Sequence, residues 1–175
     1  MKKVLQFAGI ISLALGVIAF VLFLATPGIV LKSGNSQYNY PGTTVLFGSK
    51  EAVTVLGFDT GATAVTKPSV LALVGWILLI VGLLIVLAGV VLPLLKVKAL
   101  EKYSVILNIA ACVLFVLAGI FAFIVLPTFY SANGYDSVPD YASIGAGWVI
   151  GGILAILAGI FAVLPAAASF VNKGK

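Results

Sequence analysis

Four uninterrupted apolar runs dominate this chain, Leu5–Ala25, Val70–Leu95, Ser104–Leu126 and Gly147–Phe170, and none of them contains a charged residue. Each reaches or exceeds the ~20 residues that cross a hydrocarbon core ~30 Å thick. In hydrocarbon the backbone must satisfy its own hydrogen bonds, which leaves helices or closed barrels, and barrel strands would show alternation in ~10-residue segments. The runs are continuous instead, so the expected fold class is an all-α membrane protein. A chain that is 62% hydrophobic and 9% charged, with a mean hydropathy of +1.26, falls outside the soluble globular range. The sequence therefore predicts a single four-helix membrane domain over residues 1–175, with outer loops 26–69 and 127–146 and an inner loop 96–103.

Met1-Lys2-Lys3 before the first run resembles the start of a secretory leader. The apolar stretch exceeds the ~7–15 residues of a leader, and FLATPG lacks a small-x-small cleavage site, so an uncleaved helix is expected. Orientation follows from the lysines, because positive flanks stay on the cytoplasmic side. Lys2, Lys3, Lys96, Lys98, Lys102, Lys173 and Lys175 fall on one side with Glu101 the only acid there. The other side holds Lys32, Lys50 and Lys67 with Glu51, Asp59, Asp136 and Asp140. Both termini are expected in the cytoplasm, and the basic pI of about 9.4 is accounted for by topology and anionic lipid headgroups, with no nucleic-acid partner.

Small residues recur at helical spacing: Gly75, Gly82 and Gly89 every seven residues in the second run, Ala118 and Ala122 in the third, and Gly151, Ala155 and Gly159 in the fourth, with Ala158, Ala162 and Ala166 as a second ridge. Such residues let helix backbones approach closely where lipid removes the hydrophobic incentive to associate, so these positions are expected to pack helices. Ser12 and Gly16 serve the first run. The words LAGVVLP, LAGIFAFIVLP and LAGIFAVLP at 87–93, 117–127 and 157–165 fit either duplication of a helical hairpin or convergence in a small apolar alphabet. LATPGIVLKSGNSQYNYPG is loosely like VLPTFYSANGYDSVPDYASIG, which the duplication would explain. Pro27, Pro93, Pro127 and Pro165 are each expected to mark the end of an apolar run.

The first outer loop carries strand signals. TTVLF at 43–47, AVTVLGF at 52–58 and ATAVT at 62–66 read as an antiparallel meander with turns at YNYPG and GSKE, and Gly48 is available for an unusual backbone angle. A small antiparallel β-sheet in the first extracellular loop is the result, with an apolar face resting on the helix ends or on a partner. Phe129, Tyr130, Tyr141 and Trp148 are expected at the outer interface and Tyr103 at the inner one, while Trp76 lies deeper against a helix or lipid. Tyrosine gives contact area at little entropic cost. The candidate partner-binding residues are therefore Tyr38, Tyr40, Phe47, Phe58, Tyr130, Tyr135 and Tyr141.

The chain has no His, no Arg and a single Cys, which excludes imidazole acid–base catalysis, a Cys/His dyad and ordinary zinc ligation. Cys112 is expected as an inert thiol in the third helix, and no internal disulfide can form. Asp136 and Asp140 lack the surrounding pattern of a calcium loop. No Asp, Glu, Lys or Arg lies within a span, whereas proton relays and ion-coupled carriers need ionisable groups there. The polar interior residues are Gln6, Ser12, Asn108 and Cys112, with Asn108 expected to hydrogen-bond between helices. No catalytic, cofactor-binding or metal-binding residue is assigned, and no cofactor is expected.

Four helices, both termini inside, a large β-bearing first loop and a shorter second loop together resemble the claudin-like tetraspan architecture. The resemblance is one of layout. The Trp, Gly-Leu-Trp and paired-cysteine signature of claudins is missing from 26–69, so barrier and pore functions do not carry over. TVLFG at 44–48 and TVLGF at 54–58 look like segments of small uncharacterised four-helix membrane proteins of Gram-positive-type bacteria and their wall-less relatives, a similarity that implies no activity. The expected function is a non-enzymatic scaffold, adhesion-like protein or auxiliary subunit, with membrane lipids and another membrane protein or a second copy as partners. An oligomeric channel or facilitator for a small solute is the alternative.

Overall fold

The computed structural model describes the backbone of residues 2–55, 58–94 and 103–173 and the side chains of 7–52, 62–91 and 103–167. The connection with Lys96, Lys98, Glu101 and Lys102, expected from the sequence as the inner loop, lies outside the described residues, as do Lys175 and the side chains of Lys2, Lys3, Gln6, Phe58, Asp59 and Lys173. In chain order the elements are α1 (Lys2–Ala25), β1 (Pro27–Ser33), β2 (Ser36–Pro41), α2 (Gly42–Phe47), β3 (Ser49–Val55), β4 (Phe58–Thr66), α3 (Val70–Leu94), α4 (Ser104–Phe123), α5 (Val125–Ala132), β5 (Ala142–Ile144) and α6 (Ala146–Lys173). Four of these helices are long and apolar enough to cross a membrane, over Phe7–Ala25, Val70–Val91, Ser104–Phe123 and Ala146–Ala167, making the chain a multi-pass membrane protein.

The four long helices close a ring in which α1 packs on α3, α3 on α4, α4 on α6 and α6 back on α1. Their inward stripes are mostly small: Ala8, Ser12 and Ala19 on α1, Ala111, Ala118 and Ala122 on α4, and Ala155, Ala158, Ala162 and Ala166 on α6 are all buried. Large side chains fill the middle, Leu79 from α3 and Phe115 from α4, both at 0% exposure. Ile10, Val17, Val74, Ile77 and Leu84 point away from the bundle, the surface that lipid covers.

The glycine stripe of α3 faces α4. A Cβ on Gly75 would lie 2.9 Å from Phe121 Cβ, one on Gly82 3.0 Å from the Phe115 ring, and one on Gly89 3.6 Å from Asn108 Oδ1. The closest helix approach joins α4 to α6, where a Cβ on Gly119 would stand 2.7 Å from the Gly152 carbonyl and one on Gly159 2.9 Å from the Cys112 carbonyl. Gly151 serves a different neighbour, with the Phe23 ring of α1 2.7 Å from where its Cβ would be. Ser12 donates to the Ala158 carbonyl at 2.7 Å, a buried bond between α1 and α6.

Several sequence expectations fail in the loops. TTVLF is the helix α2, because Val45 and Leu46 at 0% exposure and Thr44 turn to one side and bury together, which a strand's alternation would prevent. Tyr38–Pro41 of YNYPG belongs to β2, with Gly42 opening α2, and Ser49–Glu51 of GSKE belongs to β3, so neither is a turn. In place of a meander over 43–66 there are two sheets: one with strand order β2-β1-β5, whose third strand comes from the second loop, and the hairpin β3-β4. Gly48 does take the expected positive φ, at 77°. The second loop is also more ordered than its composition implies. The third span breaks at Ile124 and resumes as α5, with Pro127 in the first turn, where its missing N–H costs nothing. Pro165 lies inside α6 and does not end it. The PGIVLKS segment is a strand and its counterpart VLPTFYSA a helix, so the two loops share only the turn glycines Gly34 (φ 58°) and Gly134 (φ 84°).

Candidate functional site

The helix ends on the side of the two long loops are finished by a layer in which both loops interlock. The last carbonyls of a helix lack intrahelical donors and need other partners, above all near lipid. At the end of α1 the Leu22 carbonyl accepts from Thr26 N (3.1 Å) and Thr26 Oγ1 (2.6 Å), and the Phe23 carbonyl accepts from Trp148 Nε1 at 3.1 Å. Gly42 N donates to the Thr26 carbonyl at 3.0 Å. This knot leaves no room for side chains: a Cβ on Gly42 would strike the Phe23 carbonyl, and one on Gly147 the Thr26 side chain. Trp148, expected at the outer interface, is therefore 1% exposed and sits against Phe23 with ring centroids 5.1 Å apart.

From this root β1 runs between β2 and β5, pairing Ile29 with Tyr40 and with Ile144. Two further ties join the loops. Ser69 caps α3, its Oγ accepting from Ala72 N at 3.3 Å, and shares a 2.7 Å hydrogen bond with Thr128 of α5. Asn133, just beyond α5, accepts from Lys67 N (2.8 Å) and donates to the Lys67 carbonyl (3.1 Å) and the Phe129 carbonyl (2.9 Å).

Between these ties lies a cleft of about 350 Å³ whose wall includes Tyr40, Tyr130, Tyr135 and Tyr141, with Phe129 and Asn133 at its base. Ring contacts run continuously from Tyr38 to Tyr40 (5.0 Å), Phe129 (5.2 Å), Tyr130 (6.0 Å) and Tyr135 (5.5 Å). Burial pushes the Tyr40 phenol above its ordinary pKa, helped by Tyr38, Tyr135, Glu51 and Tyr141, and burial likewise raises Tyr130 beside Tyr40. Both are neutral hydroxyls at physiological pH, able to donate and accept.

Of the sequence-assigned partner residues, the structure gathers Tyr40, Tyr130, Tyr135 and Tyr141 at this cleft, while Tyr38 is outside its lining and its ring meets that of Tyr40. Tyr135 and Tyr141 are exposed at the rim, whereas Tyr130 is 7% exposed and serves as floor. Phe47 stands apart on α2, edge-on to Trp76 at 5.4 Å, and Trp76 in turn stacks on Phe20 at 5.3 Å. The buried Trp76 Nε1 has no hydrogen-bond partner among the described residues. Asn133 and Ser69 were not singled out from the sequence, although the Asn-Gly pair at 133–134 and a serine directly before an apolar run carry turn and cap signals. Gly119 and Gly152 were also passed over, since neither stands in the four-residue ridges. No group of three or more metal-ligating side chains occurs among the described residues. Comparison with protein-family models finds none that matches this chain, and comparison with curated proteins finds no similar sequence.

Proposed function

We propose that this chain is a non-enzymatic membrane scaffold or auxiliary subunit that engages a partner protein through the tyrosine cleft of its outer layer. The observation that carries the reading is the gathering of Tyr40, Tyr130, Tyr135 and Tyr141 from two separate loops onto one cleft in a hydrogen-bonded layer. Tyrosines held by their neighbours lose little further freedom when a partner covers them. In this reading the protein lies in a bacterial plasma membrane with both termini cytoplasmic, as the lysine distribution and the disulfide-free loops favour. The layout is claudin-like, without the functions of that family.

The test is native purification in mild detergent followed by mass determination of the complex, for wild type and for the double variant Tyr135→Ala/Tyr141→Ala. A defined second protein at fixed stoichiometry, lost from the double variant, is expected. A bare monomer, or a partner retained by the variant, removes the cleft from the function.

The alternative is an oligomeric channel or facilitator in which several copies enclose a path, since Leu79 and Phe115 fill the middle of one bundle among the described residues. Solute flux into liposomes containing the purified protein, absent from empty liposomes, would replace the scaffold reading with this one.

A further inference from the structure

A second cleft, of about 370 Å³, opens on the other side of the β3-β4 hairpin and is lined by Phe47, Ser49, Lys50, Val65, Thr66 and Lys67. Both lysines line this one cleft. Lys50 pairs directly with Val65, so both point the same way, and Lys67 stands one residue beyond the end of β4. Glu51, paired with Ala64, belongs to the opposite face. Neither lysine forms an ion pair with any described residue, and the backbone of Lys67 is fixed on both sides by the Asn133 amide.

The depth of this cleft is set by aromatic contacts. Trp76 lies six residues into α3, about 9 Å below its start at 1.5 Å per residue. The Phe47 ring meets the Trp76 ring at 5.4 Å while staying 52% exposed. Phe47 therefore belongs to the level of the acyl chains. Lys50 and Lys67 stand just above it, where ammonium groups meet headgroups.

We infer that this cleft binds the phosphate of an anionic lipid in the leaflet on the loop side. Lys50 and Lys67 supply two ammonium groups for the phosphodiester. The acyl chains descend past Phe47 along the exposed face of α3. The site shares Val65 and Thr66 with the lining of the tyrosine cleft, but its lysines are not part of that cleft and the lipid reading stands whether or not the cleft holds a protein.

The test uses the full chain, delipidated in detergent, with native mass spectrometry counting bound lipids as phosphatidylglycerol or phosphatidylcholine is added. Phosphatidylglycerol is expected to bind the more tightly. Each of Lys50→Gln and Lys67→Gln is expected to weaken it about fivefold, the effect of one lysine near an anionic surface. Lys32→Gln, an equal loss of charge on β1, is expected to leave binding unchanged, and Lys50→Arg to retain it. Millimolar inorganic phosphate should not displace the lipid. Undiminished phosphatidylglycerol binding by the Lys50→Gln/Lys67→Gln double variant would overturn the site. So would an equal loss in Lys32→Gln, which would mean diffuse charge attraction, and full displacement by inorganic phosphate would make the ligand a free anion.

Discussion

At the residue scale, glycines that look alike in the sequence do different work. Gly119 sits where α4 and α6 come closest, and a methyl group there would meet a backbone carbonyl, which cannot swing aside. Gly89 belongs to a regular seven-residue stripe, yet a methyl group there would make only ordinary contact with Asn108 Oδ1 at 3.6 Å. Gly119→Ala is expected to destabilise the bundle by about 1–3 kcal/mol, the usual cost of overpacking. Gly89→Ala is expected to change stability by less than about 0.5 kcal/mol, as substitutions away from tight contacts do. Thermal unfolding in a single detergent checks both, and equal losses would contradict the assignment of the closest crossing. The seven-residue stripe was visible in the sequence because it is periodic. Gly119 was not, because its importance comes from where another helix happens to cross it.

At the element scale, legibility depended on how far each element's partners lie along the chain. The spans were readable because a run without charges needs only lipid and neighbouring helices to be stable. The strands in the loop layer were partly readable. Ala52–Val55 and Ala62–Thr66 do lie in strands, since β-rich runs joined locally form hairpins. What could not be seen was β5, a three-residue strand that exists only because β1 offers it a free edge. TTVLF misled for the converse reason. Its β-branched residues suit a strand, but burial against the helix ends selects a single turn-like face. The link between hairpin β3-β4 and α5 rests on a single side chain. Asn133→Asp keeps the acceptor for Lys67 N and removes both bonds donated by Nδ2. It is expected to cost about 1–2 kcal/mol, since each hydrogen bond contributes about 0.5–1.5 kcal/mol net. Amide hydrogen exchange should accelerate at Lys67 and around Asn133 while the buried helix interfaces keep their protection. Unchanged exchange at Lys67 would show that the hairpin is held by other contacts.

At the scale of the whole molecule, the loop layer joins two loops from opposite halves of the chain into one cover for the bundle. The covering depends on β1 pairing with β5, because that is where the first loop and the entry to α6 share a ladder. In this ladder Lys32 N donates to the Tyr141 carbonyl and Gly145 N to the Gly28 carbonyl, which marks 32/141 and 28/145 as hydrogen-bonded pairs. Leu31 and Ala142 are opposite each other one step away, and so form a non-hydrogen-bonded pair. Such pairs have Cα atoms about 4.5 Å apart, inside the range a disulfide spans. With Cys112→Ala as background, Leu31→Cys/Ala142→Cys is expected to oxidise readily and to lock the two loops without changing the mass of the native particle. Cross-linking positions so distant in sequence would stabilise the fold by up to about 4.7 kcal/mol on the chain-entropy account, less whatever the lost Leu31 packing costs. The comparison of interest is between oxidised and reduced forms of the same variant in thermal unfolding, which cancels that packing loss. A higher midpoint when oxidised means that the two loops separate as the bundle comes apart. No difference would mean that the layer opens while the helices stay together, and the cover would then be a unit that moves independently of the bundle beneath it.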